Sequence, residues 1–368
     1  MGNCDSKPKP KPKPKSTGPK KPLTFGKDPS LDMKDFMLSG GKDVTLVKED
    51  MKGQQFLMEE SSSCSVYLLD LVASLTVDYC TSCTLVTGPI ESSAFIRNCK
   101  DCTFVVATGQ FRTRECVDCR FFLYSSTEPI IETSRNLTIG CYEYHYFNMA
   151  KHFEKSKLSV WNNKWSEVYD FTPSAGCTNK NSRNWAPMDM MSDCHENHIK
   201  ALDNAEASEK ASQGSSAVPL THGKSKAAGA EDTSANRKCF LAIMSDKVNF
   251  ETTRDAVLSW QANNAGGKNP NCTLVRTRKF LLTKEQSGSL FSALGKKAGT
   301  LAKQCNGQKN AREILALEYS LEPETSSEEL KVMFQRLYEK ELDSLCTIEG
   351  QDAEGPARSI FCYFKEDQ

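Results

Sequence analysis

The sequence predicts a mainly β protein: a right-handed parallel β-helix, then a flexible linker, then a ferredoxin-like α+β domain. Three observations carry that expectation. Cysteines return at a nearly fixed interval between residues 64 and 141, short β-rich runs fill the intervals, and the composition changes abruptly near residue 196.

The chain opens Met1-Gly2-Asn3-Cys4-Asp5-Ser6, which fits N-myristoylation of Gly2, and Cys4 beside it is a candidate for palmitoylation. From Lys7 to Lys27 there are eight lysines and no acidic residue before Asp28, and the alternating Lys-Pro tract from Lys7 to Lys15 reads as extended polyproline II. One acyl chain holds a bilayer only marginally, so a second chain or a basic stretch is required, and this tail offers both. Residues 1–30 are therefore expected to be an acylated, disordered leash that binds anionic membrane. No apolar stretch has the length of a secretory core or a membrane span.

Residues 31–195 are read as the solenoid. Segments beginning at Cys64, Cys83, Cys102 and Cys119 follow one another at spacings of 19, 19 and 17, the self-similarity expected of stacked coils. Each opens on a β-rich run such as Thr103-Phe104-Val105-Val106. The first three close on an alternating run ending in cysteine, such as Ala94-Phe95-Ile96-Arg97-Asn98-Cys99. Runs this short, broken by Gly, Pro and Ser, suit strands rather than helices. The pairs Cys80/Cys83, Cys99/Cys102 and Cys116/Cys119 also have zinc-ribbon spacing. Three pairs in register with a hydrophobic repeat are better explained as small buried residues at successive corners, so no metal site is assigned. The aromatic segment from Tyr142 to Phe147, with His145 and His152, is expected to cap the open end of the solenoid.

Residues 196–237 contain few large apolar side chains and read as a linker. Beyond them strand-like and helix-like runs alternate: strand 239–244, helix 250–261, strand 272–282, helix 284–294, strand 314–321, helix 326–342 and strand 359–364. That order suggests a compact α+β sandwich over residues 238–368. Forty-seven basic residues balance forty-seven acidic ones, so bulk electrostatics give no reason to expect a nucleic-acid partner.

Strand alternation nominates a site. If Leu75, Val77, Ala94, Ile96, Phe111 and Thr113 point inward, then Phe95, Arg97, Arg112 and Arg114 point out on neighbouring strands. An exposed Phe among arginines has the character of an interface. Glu132 on the next coil is expected to stack over Arg112 and fix its guanidinium.

These residues resemble the tubulin-binding cofactor C domain family and, within it, the retinitis pigmentosa 2 family. The resemblance rests on the Met-Gly terminus, Gly53-Gln54-Gln55-Phe56, Gly88-Pro89, Phe95 to Cys99, Gln110-Phe111-Arg112-Thr113-Arg114-Glu115-Cys116, Pro129-Ile130-Ile131-Glu132, and Trp161-Asn162-Asn163-Lys164-Trp165 through Asp170-Phe171-Thr172-Pro173. It implies a GTPase-activating protein for an Arf-like small GTPase in its GTP form, an enzyme regulator rather than an enzyme. Arg112 would be its arginine finger, Glu132 the residue orienting the finger, and Phe171 a contact with the GTPase, while Gln110 would shape the interface. Where the family often has a second glutamine this chain has Gly109. Magnesium and GTP would belong to the GTPase, so the chain binds no cofactor of its own. The resemblance also implies a nucleoside-diphosphate-kinase-like second domain, and places the protein on the cytoplasmic face of the plasma membrane and at the base of cilia or flagella, in traffic of lipidated proteins. All five histidines (His145, His152, His195, His198, His222) precede residue 238, so that domain is read as an interaction module without kinase chemistry. The competing reading is a non-catalytic effector or scaffold for a GTP-bound GTPase or for tubulin.

Overall fold

The computed structural model describes residues 31–172, 184–188, 216–223, 238–264, 272–283, 312–340 and 344–358, with a few positions between 286 and 301 and residues 360–361. Gly2, Cys4 and the lysine-rich tail lie outside the described residues.

Twelve strands wind into a parallel solenoid. One side carries β1 (Met37–Ser39), β3 (Phe56–Glu59), β5 (Leu75–Asp78), the second half of β6 (Thr84–Arg97), the second half of β7 (Thr103–Arg114), β9 (Ile130–Glu132) and β11 (Tyr169–Asp170), paired in that order. The other side runs through β2 (Thr45–Lys48), β4 (Ser65–Leu68), the first halves of β6 and β7, β8 (Arg120–Ser125), β10 (Leu137–Cys141) and β12 (Trp185–Pro187). Leu75, Val77, Ala94, Ile96, Phe111 and Thr113 all face the interior and are buried. The two-residue shortfall of the third coil has a local cause. β6 shifts register against β7 between Val86 and Pro89 and again between Ile90 and Ser93, so two bulges absorb its two extra residues.

The cysteines sit at the corners, inside. Each follows a residue in the left-handed region: Tyr79, Ser82, Asn98, Asp101, Glu115 and Asp118 precede Cys80, Cys83, Cys99, Cys102, Cys116 and Cys119. That turn brings each thiol to the carbonyl two residues back, as in Cys99 to Arg97 O at 3.2 Å and Cys102 to Lys100 O at 3.2 Å. The position therefore calls for a small side chain with one donor. Ser61 and Ser134 fill the equivalent place in the flanking coils and make the same bond, to Glu59 O at 2.9 Å and Glu132 O at 3.0 Å. Hydrogen-bonded neighbouring cysteines and burial hold the Cys83, Cys99 and Cys119 thiols above the usual thiol range.

Residues 142–158 do not cap the end of the solenoid. Tyr142, Tyr144, Tyr146 and helix α1 (Met149–Ser156) instead cover the outer surface of the β4–β6–β7–β8 side, packing on Tyr67, Val86, Val105 and Phe122. Those outward positions are themselves apolar, so this side needed a cover and the long aromatic run supplies it. Burial depresses the pKa values of His145 and His152. Trp165 and Trp185 join the interior core, with Trp185 on β12, which pairs with β10.

Residues 238–361 include a four-stranded antiparallel sheet, ordered β14 (Cys272–Leu282), β15 (Arg312–Leu321), β13 (Lys238–Ser245), β16 (Leu345–Glu349). Helices α2 (Phe250–Asn264) and α3 (Glu328–Leu337) contribute to the core on one face, and α4 (Gln351–Arg358) to the core on the other. Of the strand expected at 359–364 only Ile360 and Phe361 are described, and they are not in a strand; among the described residues the last strand lies earlier. It is β16, ended by Gly350 at φ 77°, while Ile360 and Phe361 are buried in the core beneath the sheet after α4. A short apolar run cannot by its pattern distinguish a strand from a buried helical end.

Most of the expected linker lies outside the described residues, but residues 216–223 are tied down. Ala217 and Val218 pack with α1 on the solenoid, and Thr221 receives a hydrogen bond from Trp165 Nε1 at 3.0 Å. His222 and Gly223 donate their N–H groups to Leu274 and Val275 of β14, both at 2.9 Å.

Candidate partner-docking face

The side built from β1, β3, β5, β6, β7, β9 and β11 keeps its outer surface open, and its pairing register stacks outward residues into two parallel columns. One column reads Leu57, Thr76, Phe95, Arg112, Ile130, Tyr169. The other reads Glu59, Asp78, Arg97, Arg114, Glu132, two residues further along each strand. Neighbours within a column are about 4.8 Å apart, the spacing of paired strands.

The arginines differ in what they do. Arg97 is held by Asp78 through Nε to Oδ1 at 2.7 Å and Nη2 to Oδ2 at 2.5 Å, a bidentate pair that raises the arginine's pKa further. Arg114 leans on Glu115 at 3.3 Å. Arg112 makes no hydrogen bond or ion pair among the described residues. Its register neighbours are Phe95 and Ile130, so the surface beside the guanidinium is apolar while its donors remain open to a ligand.

Glu132 does not stack over Arg112. The register places it against Arg114, with Ile130 against Arg112. Stacking over Arg112 would need a step of twenty residues between coils, whereas the step from β7 to β9 is eighteen, Arg112 to Ile130 and Arg114 to Glu132. Gln110 is exposed and pairs with Ser93, beside the second bulge. Gly109 has a steric reason: a Cβ there would stand 2.8 Å from Ser92 O and 3.2 Å from Glu91 O.

Aromatic side chains concentrate on this face. Phe95 (37% exposed), Tyr79 (63%), Tyr169 (53%) and Phe171 (60%) all belong to it. Tyr169 and Phe171 meet edge to face, ring centroids 4.8 Å apart. The strand carrying them is the last added to this side, through Tyr169 N–H to Pro129 O at 2.8 Å and Phe171 N–H to Ile131 O at 2.9 Å. Phe95, Arg97, Arg112, Arg114, Glu132 and Phe171 therefore share one surface. Tyr79 and Tyr169 were missed from the sequence. Tyr169 alternates correctly with Phe171 and was findable on that ground, whereas Tyr79 sits at a corner where strand alternation gives no direction. His222 precedes the α+β unit in the chain, yet its backbone bond to Leu274 brings it to the edge of that sheet, which position in the sequence does not reveal.

Comparison with known proteins finds similarity across most of this face. Residues 53–171 match the family described as Tubulin binding cofactor C. Protein XRP2 of Danio rerio is 38% identical over 161 residues, covering 43% of this chain and 43% of that protein. Protein XRP2 of Xenopus laevis is 44% identical over 161 residues, 43% of this chain and 46% of that protein. Tubulin-specific chaperone C of Homo sapiens is 31% identical over 143 residues, 39% of this chain and 38% of that protein. The match thus spans less than half the length of these relatives. The window runs from residue 53 to Phe171, so it contains the face from β3 onward, with every outward residue named above, and none of the α+β unit.

Proposed function

We propose that the Tubulin binding cofactor C domain carried by residues 53–171 acts as a GTPase activator, presenting Arg112 to the active site of an Arf-like small GTPase in its GTP form. The observation that supports this most is the contrast among the three outward arginines of β6 and β7: Arg97 and Arg114 are engaged by acids, and Arg112 makes no hydrogen bond or ion pair among the described residues. Phosphoryl transfer spreads charge over the equatorial phosphate oxygens, and a planar guanidinium arriving from a partner neutralises it. Such a finger is worth about 10³ to 10⁵ in rate, or roughly 4 to 7 kcal/mol. GTP and magnesium stay with the GTPase. In this reading Tyr79, Phe95, Tyr169 and Phe171 form the apolar contact, Gln110 borders it, and Glu132 meets the partner rather than Arg112.

The remaining elements fit around that role as parts of the same proposal. Gly2 and Cys4 carry acyl chains, and the lysine-rich tail holds the domain at the cytoplasmic face of the plasma membrane and at the ciliary base. The strand order of the second unit suits a ferredoxin-like, nucleoside-diphosphate-kinase-like module used for interaction. A phosphoryl-histidine assay on the full chain tests that; labelling would overturn it.

Single-turnover GTP hydrolysis by a panel of Arf-like GTPases, with full chain and Arg112→Ala, tests the central reading. Stimulation by the wild type that the variant loses while still binding supports it. GTP-dependent binding with unchanged hydrolysis favours a non-catalytic effector, and binding of tubulin alone favours the role named in the chaperone relative.

A further inference from the structure

The segment from Trp161 to Phe171 touches three parts of the molecule in eleven residues. Trp161 is buried in the core of the α+β unit, and its carbonyl accepts from Thr277 Oγ1 at 2.7 Å. Asn162 closes a two-bond ring with one residue of β14: Oδ1 accepts from Lys279 N–H at 2.7 Å and Nδ2 donates to Lys279 O at 3.0 Å. The amide thus pairs with β14 as another peptide unit would.

The next residue turns the other way. Asn163 Oδ1 accepts from Ser125 N–H and Trp165 N–H, both at 3.1 Å, and Nδ2 donates to Leu123 O at 3.2 Å. Lys164 N–H adds a bond to Ser125 O at 2.8 Å. From Ser125 the connection runs to the docking face, since Thr127 donates its N–H and its hydroxyl to Gly109 O, at 3.2 and 3.3 Å, next to Gln110. From Trp165, buried in the solenoid core, the chain runs directly into Tyr169 and Phe171. Residues 216–223 close the same seam. Gly223, at φ 69°, lies where a Cβ would come within 2.5 Å of Ser166 and 2.9 Å of Trp165. A cavity of about 20 Å³ lies between Asn162, Asn163 and Thr277, enough for one water.

We propose that Asn162 and Asn163 are positioning residues, a back-to-back amide pair through which the α+β unit holds the Tyr169–Phe171 strand, and hence the docking face, in place. β11 is two residues long and, among the described residues, is the last strand of its side. A short terminal strand is the kind of element that opens locally unless something outside it holds it. Asn184 Nδ2 ties the strand locally, to Asp170 Oδ2 and Thr172 O, both at 2.8 Å, and the anchorage upstream adds to that hold. The consequence for docking rests on the activator reading above; the mechanical coupling does not.

The test uses the full chain with Asn162→Ala and Thr277→Val combined, which removes the three hydrogen bonds of this segment to β14 without touching the solenoid. Amide hydrogen exchange at Tyr169 and Phe171 is expected to quicken about tenfold, while β5 to β7 stay protected. The concentration giving half-maximal stimulation of GTP hydrolysis should rise about fivefold, with the rate at saturation unchanged, as expected when docking rather than chemistry suffers. Should the double variant fail to fold, Asn162→Asp, which keeps the acceptor and loses the donor, gives the same comparison. Unchanged exchange at Tyr169 and Phe171 overturns the proposal, and so does faster exchange with unaltered half-maximal concentration. Faster exchange in a chain whose wild type stimulates no GTPase leaves the coupling standing and removes the activator reading instead.

Discussion

Glu132 stands opposite Arg114 on the outer face of the solenoid, not opposite Arg112. The consequence is a division of labour. With the acid opposite Arg114, the orientation of Arg112, the proposed finger, falls to the apolar residues flanking it, Phe95 and Ile130.

Replacing each partner should therefore give unequal effects. Arg112→Lys is expected to keep binding and to lose about 10²-fold or more of the stimulated rate, because a point charge does not span two phosphate oxygens. Glu132→Gln keeps shape and size and should cost less than about tenfold, most of it in half-maximal concentration. Single-turnover rates at saturating chain separate the two; a larger loss in Glu132→Gln would mean that the acid does reach the finger in the complex.

Gly109 is the position where the family resemblance and this chain diverge. Restoring the glutamine by Gly109→Gln should not increase stimulation, since the new Cβ meets Ser92 O at 2.8 Å and the bulge must give way. Overpacking of this kind costs about 1–3 kcal/mol. Thermal unfolding of the variant, with hydrolysis measured below its transition, checks both halves.

The coil repeat, the interior cysteines and the outward Phe95–Arg112 pairing were legible because a period of two and a period near nineteen leave little freedom once superposed. The register of Glu132 was not, because coil length varies from one coil to the next, Phe95 to Arg112 being seventeen residues and Arg112 to Ile130 eighteen, and a two-residue difference moves Glu132 from one outward arginine to the other. The cover formed by Tyr142 to α1 was misplaced for a related reason: an aromatic run announces burial without naming the surface it buries. The role of Asn162 and Asn163 was hidden altogether. Amides that pair with backbone across a seam look in sequence like any polar turn.

Acid should weaken the cover before the core. Burial lowers the pKa of His152, against a smaller opposing pull from Asp70, whose Oδ1 is 3.4 Å from Nε2. Nδ1 is 2.8 Å from Tyr146 OH. A histidine pKa depressed on folding means that the unfolded chain takes up the proton first. The stability contribution is therefore complete above the unfolded value of about 6.5 and drains as pH falls through the folded one. Urea midpoints at pH 7.5 and 5.0 should fall for the wild type and fall less for His152→Asn; equal drops would assign the effect elsewhere. At the alkaline end Cys141, pushed up to about 11 by burial, reverses the sign: stability is full below the unfolded thiol value and drains as pH rises toward 11.

The corner cysteines offer the sharpest test of why they are cysteines. Ser134 occupies the place of Cys116 one coil later, where its hydroxyl donates to Glu132 O at 3.0 Å and accepts from Cys116 N–H at 3.1 Å. If the position asks for a small donor aimed at the carbonyl two residues back, Cys116→Ser should fold and keep activity, with a loss of about 1 kcal/mol. Cys116→Leu keeps hydrophobicity but forfeits the donor and adds volume where the thiol is wholly buried. It should cost about 3 kcal/mol or more by crowding and by the lost partner of Arg114 O together. Were the thiols instead gathered around a metal ion, serine would be the damaging change and metal analysis of the purified chain would show the ion. Denaturant midpoints of the two variants, read beside that analysis, decide between corner packing and coordination.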